Sequence, residues 1–158
     1  MPVPQSVQHF LGDQHVSFSV IHHRPAYTAQ EEAAITHVPG RQWAKTVACF
    51  ADGRPILAVL PAASLIDIER LRAVTGAENV RLANEQEFED LYPDCETGAM
   101  PPLGPLYGQR VYVDRVLGDA KEIVFHAGSH SDAIRLSYED FVRLVQPTLG
   151  DFAGRAGQ

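Results

Sequence analysis

Cysteine is scarce in this chain of 158 residues, with only Cys49 and Cys95 present. Two thiols are too few for a disulfide-stapled scaffold, so we expect a reducing, cytoplasmic setting. Long apolar runs are also missing, because none approaches the ~18 residues that a membrane span needs. Residues 1–6 lack the basic and apolar regions of a secretory signal. The sequence therefore predicts neither a membrane protein nor a secreted one.

Lysine is nearly absent, since Lys45 and Lys121 are the only two among 13 basic residues. With 20 acidic residues the formal net charge is −7 and the pI is about 5.4. Such a balance argues against a broad basic surface that grips duplex DNA through many phosphates. It leaves room for a small site that contacts one or two phosphates.

The common catalytic motifs are missing too. The sequence has no G-x-S-x-G, H-E-x-x-H, P-loop or G-x-G-x-x-G pattern. Cys49 falls in an apolar run and Cys95 lies between two acids, so neither resembles an activated nucleophile. His126 and His130 are four apart, but Gly128 between them disfavours a helix, so we predict no metal and no organic cofactor.

The periodicity predicts a single α+β domain over residues 1–150 with a flexible tail at 151–158. Alternating or continuous apolar runs predict strands at 15–21, 43–50, 56–60, 80–82, 111–116, 122–125 and 133–136. Cap residues and apolar spacing predict helices at 6–11, from Thr28 onward, 64–76, 85–91 and 137–145. We expect 43–50 with 56–60, and 111–116 with 122–125, to form hairpins. Residues 93–108 read as an irregular loop because proline and glycine interrupt them repeatedly.

Lys45 is the most informative single residue, because its neighbours along the strand face, Trp43, Val47 and Cys49, are all apolar. An ammonium group there must reach solvent, pair with a carboxylate or line a cavity that holds an anion or carbonyl. An edge lysine on a solvated face is the alternative.

Two loops add candidate binding groups. In Gly98-Ala99-Met100-Pro101-Pro102 the glycine precedes a stiff Pro-Pro pair, so N–H groups near Gly98 could point at a ligand oxygen. A rigid connecting turn is the alternative interpretation. The polar loop that contains Ser129 and His130 could contact a substrate.

Taken together, several segments resemble the YbaK/prolyl-tRNA synthetase-associated family of aminoacyl-tRNA deacylases. They are Tyr27 to Ala34, Trp43 to Val47 with Lys45, the G-x-x-x-P loop from Gly98 to Pro102, and Glu122 to Gly128. The resemblance implies a mixed, partly barrel-like sheet surrounded by helices. It also implies hydrolysis of the ester that joins a wrong, small amino acid to a tRNA, with tRNA-Pro as one candidate.

The resemblance assigns Lys45 and Gly98 to catalysis. We expect the remaining substrate contacts from Thr46, Ala99, Met100, Pro101, Pro102, Ser129 and His130. The partners would be the acceptor end of mischarged tRNA and an aminoacyl-tRNA synthetase, with no membrane or duplex DNA. A freestanding trans-editing enzyme is the leading hypothesis, and a non-catalytic tRNA- or synthetase-binding module is the alternative. A metal-dependent hydrolase using His126 and His130 is a third.

Overall fold

The computed structural model describes residues 3–25 and 42–154. Its helices are α1 (Gln5–Asp13), α2 (Ile68–Thr75), α3 (Glu85–Leu91), α4 (Gly104–Tyr107) and α5 (Tyr138–Val145), with a 3₁₀ helix at Arg115–Asp119. Its strands are β1 (Ser19–His22), β2 (Ala44–Ala51), β3 (Arg54–Pro61), β4 (Leu65–Ile66), β5 (Val80–Leu82), β6 (Arg110–Asp114), β7 (Glu122–Ser129), β8 (Asp132–Ser137), β9 (Thr148–Gly150) and β10 (Ala153–Gly154). The helix predicted from Thr28 lies outside the described residues.

The strands of the described residues form three sheets. A mixed five-stranded sheet has the order β5-β2-β3-β6-β9, an antiparallel one has the order β1-β8-β7, and β10 pairs with β4. An isolated bridge between Trp43 and Val124 brings β7 beside the start of β2. The predicted α+β class is confirmed, and within the described residues the sheets do not close into a barrel. In the same part of the chain, no helix is both long and apolar enough to cross a bilayer.

The β2–β3 hairpin is the centre of the large sheet. Its turn places Asp52 and Gly53 at φ +48° and +82°, which matches the two positive φ angles of a type I′ turn. Strand β3 is buried over five consecutive residues. Leu57 and Val59 face the larger core, whereas Ala58 and Leu60 face a second core under α2. A continuous apolar run suits this position, because both faces of the strand are covered.

Capping residues in the sequence correctly predicted several helix ends. Asn84 and Glu87 form the reciprocal capping box at the start of α3, and Ser137 accepts a hydrogen bond from the Asp140 amide at the start of α5. Gly76 ends α2 in the left-handed conformation. That helix begins at Ile68 rather than at residue 64, because residues 65–66 pair with β10 as β4.

The predicted 111–116/122–125 hairpin is wrong. Strand β6 pairs in parallel with β3 and β9, and β7 pairs with β8. Four of the five β6 residues are buried, so this strand belongs inside the large sheet rather than at the edge of a separate hairpin. Asp114 then starts the 3₁₀ helix by accepting a hydrogen bond from the Val116 amide. Likewise, α4 lies inside the segment that we predicted to be wholly irregular.

Part of the predicted tail packs onto the body of the protein. The buried Asp114 carboxylate accepts hydrogen bonds from the amides of Phe152 and Ala153, at 2.9 and 2.7 Å. Phe152 is fully buried, and Ala153 pairs with Ile66. Residues 151–154 are therefore held by side-chain burial and backbone pairing, which corrects the expectation of a frayed segment there.

Candidate active site

A glycine bulge in β7 anchors the loop that contains Gly98. The β7–β8 register shifts between His126 and Ser129, and Gly128 takes φ +103°. Its amide donates to the Ala99 carbonyl at 2.8 Å, and its carbonyl accepts from the Glu96 amide at 2.8 Å. A Cβ at Gly128 would lie 2.7 Å from Pro4 Cδ, so the position has no space for a larger residue. The bulge thus holds both ends of the 96–99 turn.

His130, in the β7–β8 turn, holds the same loop through two hydrogen bonds. Its backbone amide donates to Glu96 Oε1 at 2.8 Å, and its Nε2 donates to the Thr97 carbonyl at 2.9 Å. A carbonyl can only accept, so this contact fixes the ring tautomer, with the proton on Nε2. The Ala99 amide closes the turn by donating to the Glu96 carbonyl at 3.0 Å. The sequence did not single out Glu96, although three of the contacts that hold the loop involve it.

Gly98 is exposed, as are Glu96 and Thr97 of the same turn. It adopts φ +81°, and a Cβ built on it would meet nothing within 4 Å. Among the described residues no acceptor is bonded to its amide. The five residues that follow are buried: Ala99, Met100, Pro101, Pro102 and Leu103. Within the described residues, this turn therefore presents the Gly98 amide, and the neighbouring exposed Thr97 amide, without an acceptor.

A cavity of about 230 Å³ adjoins Gly98. Strand β5 pairs with β2 from Cys49 to Ala51, and the Ala83 amide donates to the Ala48 carbonyl at 2.9 Å, so among the described strands none pairs with this edge of β2 at Thr46 and Val47. The cavity lies along that edge and is lined by Thr46, Val47, Ala48, Leu82, Ala83, Asn84, Glu85, Phe88, Thr97, Gly98 and Met100. Its volume is below the ~300 Å³ at which drug-sized ligand sites begin, so it suits a small group.

The cavity brings together some of the predicted site residues but not others. Thr46, Gly98 and Met100 line it, whereas Lys45 does not. Lys45 is half-buried and lies opposite Leu60, on the strand face that Trp43 shares. Burial lowers the pKa of its ammonium group. No described contact joins Lys45 to the 98–102 loop, so their predicted proximity stays a prediction.

Ser129 supports the turn instead of facing the cavity. It is 1% exposed, and its Oγ donates to the buried Asp132 carboxylate at 2.7 Å. The other Asp132 oxygen pairs with His22 Nδ1 of β1, and the Ser131 amide donates to Ser129 Oγ. These contacts tie β1 to the turn that carries His130. Ala99, Pro101 and Pro102 are also buried outside the cavity lining.

A row of aromatic rings connects the start of β2 to the Gly98 loop. The Trp43 and His126 ring centroids are 5.6 Å apart and those of His126 and His130 are 5.2 Å apart, both in edge-to-face geometry. His23 lies 6.2 Å from Trp43 in the same way. Within the described residues no group of His, Cys, Asp or Glu side chains is arranged to hold a metal ion. His126 and His130 pack ring against ring beside the bulge.

Comparison with known families decides the class of this protein. Residues 23–144 match the family described as the aminoacyl-tRNA editing domain. The chain belongs to this family. The predicted family resemblance is therefore confirmed, and so is the enzyme class, an aminoacyl-tRNA deacylase.

Relatives of this editing domain include both short and long proteins. The multifunctional Ser/Thr-tRNA deacylase ProXp-y of Escherichia coli (strain K12) is 27% identical over 90% of this chain and 87% of its own length. Proline–tRNA ligase 1 of Anaeromyxobacter dehalogenans is 32% identical over 71% of this chain but only 19% of its own length. A solved structure described as a candidate trans-editing enzyme for prolyl tRNA synthetase superposes with a TM-score of 0.81. It is 20% identical and covers 97% of this chain and 98% of that one, and it shares the fold.

The thiols of the editing domain are unsuited to nucleophilic attack. Burial raises the pKa of Cys49 to about 12, and burial also raises the pKa of Cys95. A cysteine nucleophile needs a lowered pKa, because the thiolate is the reactive form. The site therefore offers a backbone amide and a small cavity, and neither cysteine is a thiolate at neutral pH.

Proposed function

We propose that the Gly98 cavity binds the amino acid of a mischarged tRNA and that the ester to the tRNA 3′ end is hydrolysed there. The observation that carries this proposal is that Gly98, whose amide has no acceptor among the described residues, lines a cavity of about 230 Å³. Ester hydrolysis needs a donor aimed at the developing oxyanion, and a fixed backbone amide supplies one without reorganisation.

The substrate is a small amino acid, such as serine, threonine, alanine or cysteine. The cavity volume supports this class, and so does the similarity to ProXp-y, which is named as a Ser/Thr-tRNA deacylase. The similarity to proline–tRNA ligases supports tRNA-Pro as the carrier and a synthetase as a partner. Apolar walls discriminate by only ~1–3 kcal/mol per methylene, so large amino acids are excluded by their volume rather than by weak binding.

In the proposed reaction a water oxygen bonds to the ester carbonyl carbon, and the Gly98 amide stabilises the tetrahedral oxyanion. The ester C–O bond then breaks, and the ribose oxygen leaves with a proton that originates from the water. Neither thiol of the chain is a suitable nucleophile, so the positioning of the water and the hydroxyl groups of the substrate carry the attack. The Lys45 ammonium group binds the 3′-terminal nucleotide or its phosphate.

His130 acts through the loop in this scheme. Its ring holds the Thr97 carbonyl and its amide holds Glu96, so it fixes the direction of the Gly98 amide. Thr46 and Met100 form the walls that contact the amino acid.

A deacylation panel tests the proposal. Purified protein is incubated with tRNA-Pro charged with alanine, serine, threonine, cysteine or phenylalanine, and with the correct prolyl-tRNA, and loss of the aminoacyl label is followed. We expect hydrolysis of one or more small aminoacyl esters and none of the phenylalanyl ester. Binding of tRNA without hydrolysis of any ester would favour the non-catalytic module. Loss of hydrolysis in EDTA, with the Mg²⁺ requirement of the tRNA controlled, would favour a metal-dependent hydrolase.

A further inference from the structure

A second and larger cavity lies beside the β2–β3 turn, at one end of the five-stranded sheet. Its volume is about 620 Å³, and its lining comes from the β2–β3 turn, the end of α2 and the starts of β3 and β6. Arg54, Arg110 and Tyr112 are among the residues that line it. None of the proposed catalytic residues does so.

The sheet places the two arginines side by side. Strands β3 and β6 run parallel, with Ile56 opposite Arg110. Arg54 lies two residues before Ile56, so it emerges on the same face of the sheet. Strand spacing and residue rise put the two arginine α-carbons roughly 8 Å apart. Both guanidinium groups can therefore reach one ligand in the cavity.

These arginines differ from most others in the described residues. Arg70, Arg72, Arg81, Arg115 and Arg143 each form an ion pair with a carboxylate. In residues 3–25 and 42–154, neither Arg54 nor Arg110 has an ion-pair or side-chain hydrogen-bond partner. The acid in the cavity lining, Asp52, already accepts hydrogen bonds from the amides of Glu78 and Asn79. The two guanidinium groups are therefore available to bind an external anion.

We propose that the Arg54/Arg110 cavity binds backbone phosphates of the tRNA substrate, a proposal that rests on the proposed function. The guanidinium fork matches phosphate oxygens, and two forks on one face suit neighbouring phosphates. The formal net charge of −7 repels a polyanion over much of the surface. The two unpaired arginines therefore indicate the part of the protein surface that the tRNA can approach.

The location in the sheet indicates which part of the tRNA is held. Arg54 pairs with Ala51, five residues along β2 from Thr46 of the Gly98 cavity. At 3.3–3.4 Å per residue this is about 17 Å along the strand. A stacked nucleic-acid strand carries a phosphate about every 3 Å along its axis, slightly closer in A-form RNA than in B-form DNA, so the separation corresponds to about five or six nucleotides. The arginines would therefore contact the acceptor stem, beyond the reach of a short 3′-terminal fragment.

Binding measurements with a charge-matched control test the assignment. Uncharged tRNA and its 3′-terminal trinucleotide are titrated by fluorescence anisotropy against the wild type, the R54Q/R110Q variant and an R72Q/R143Q control. The control removes two arginines that pair with Glu69 and Asp140 on exposed helix surfaces. We expect R54Q/R110Q alone to weaken tRNA binding. Its salt dependence, d log K/d log[salt], should fall by about 2 in magnitude, and trinucleotide binding should not change.

Catalysis provides a second measurement. With full-length mischarged tRNA, R54Q/R110Q should raise KM and leave kcat unchanged, and with an aminoacylated trinucleotide it should match the wild type. A wild type that hydrolyses neither substrate would refute the proposed function, while the anisotropy result would still decide the arginine site. Equal tRNA affinity in R54Q/R110Q and the control would overturn the site. Calorimetric binding of inorganic phosphate that R54Q/R110Q abolishes, with tRNA affinity unchanged, would assign the cavity to a free anion and overturn it too.

Discussion

Replacing Gly98 by valine tests whether the open amide drives the reaction. Gly98 lies at φ +81°, where an L-residue is strained by about 1–2 kcal/mol and a β-branched one by more. Because a Cβ there meets nothing within 4 Å, the cost is backbone strain rather than a clash. The strain can be relieved by rotation of the 97–98 peptide, which would change the direction of the Gly98 amide.

Gly53 supplies a matched control. It has φ +82°, open space around a built Cβ and a place in the β2–β3 turn outside both cavity linings. Gly53→Val should lose similar stability. For a domain of this size a destabilisation of 1 kcal/mol lowers Tm by about 2–4 °C. A strain of about 1–2 kcal/mol should therefore lower the Tm of each variant by about 2–8 °C. Only Gly98→Val should lose about 10²–10³-fold in kcat, the usual cost of removing an oxyanion donor.

The assay compares kcat on one small mischarged aminoacyl-tRNA with thermal unfolding of the same preparations. Wild-type kcat in Gly98→Val, together with the Tm loss seen in Gly53→Val, would refute the role of the amide. If the valine variant does not fold, Gly98→Ala provides the same comparison against Gly53→Ala with less strain.

Other substitutions test the parts around the loop. Lys45→Met should abolish hydrolysis yet not lower stability at neutral pH in urea unfolding. Because the folded state lowers the Lys45 pKa, the wild type should gain stability relative to Lys45→Met as the pH rises through that pKa. Glu96→Ala should lower kcat, whereas Glu96→Gln, which keeps an acceptor oxygen for the His130 amide, should restore most of it. His130→Ala should lower kcat more than His130→Gln. Cys49→Ser and Cys95→Ser should keep wild-type kcat, and iodoacetamide should not inhibit either the wild type or the variants.

Local signals in the sequence predicted much of the fold because local chemistry causes those elements. The Asn84–Glu87 capping box and the Ser137 cap satisfy amides within three residues, so a short window of sequence contains the whole interaction. The pairing of β6 is different. Its partners, β3 and β9, lie far away in the chain, and nothing in the 110–114 sequence distinguishes parallel pairing from a hairpin with β7.

Some residues of the candidate site lie in segments that the sequence makes visible, whereas the role of Ser129 depends on a contact that only the structure shows. Thr46, Gly98 and Met100 lie in an apolar strand and a glycine–proline loop that are visible in the sequence, and all three line one cavity. Ser129 could not be separated from them by residue type. The structure shows that its hydroxyl is committed to Asp132.

Glu96 shows why a site built on backbone amides is hard to read from sequence. As an exposed acid in a polar loop it has no distinguishing pattern, and it gains its role only because Gly128 bulges towards it. That bulge brings the His130 amide to the Glu96 carboxylate and the His130 ring to the Thr97 carbonyl. We expect a backbone amide to stabilise the oxyanion, and almost every residue has such an amide. The Gly98 amide is distinguished only by its orientation, which depends on contacts between residues about 30 positions apart in the chain.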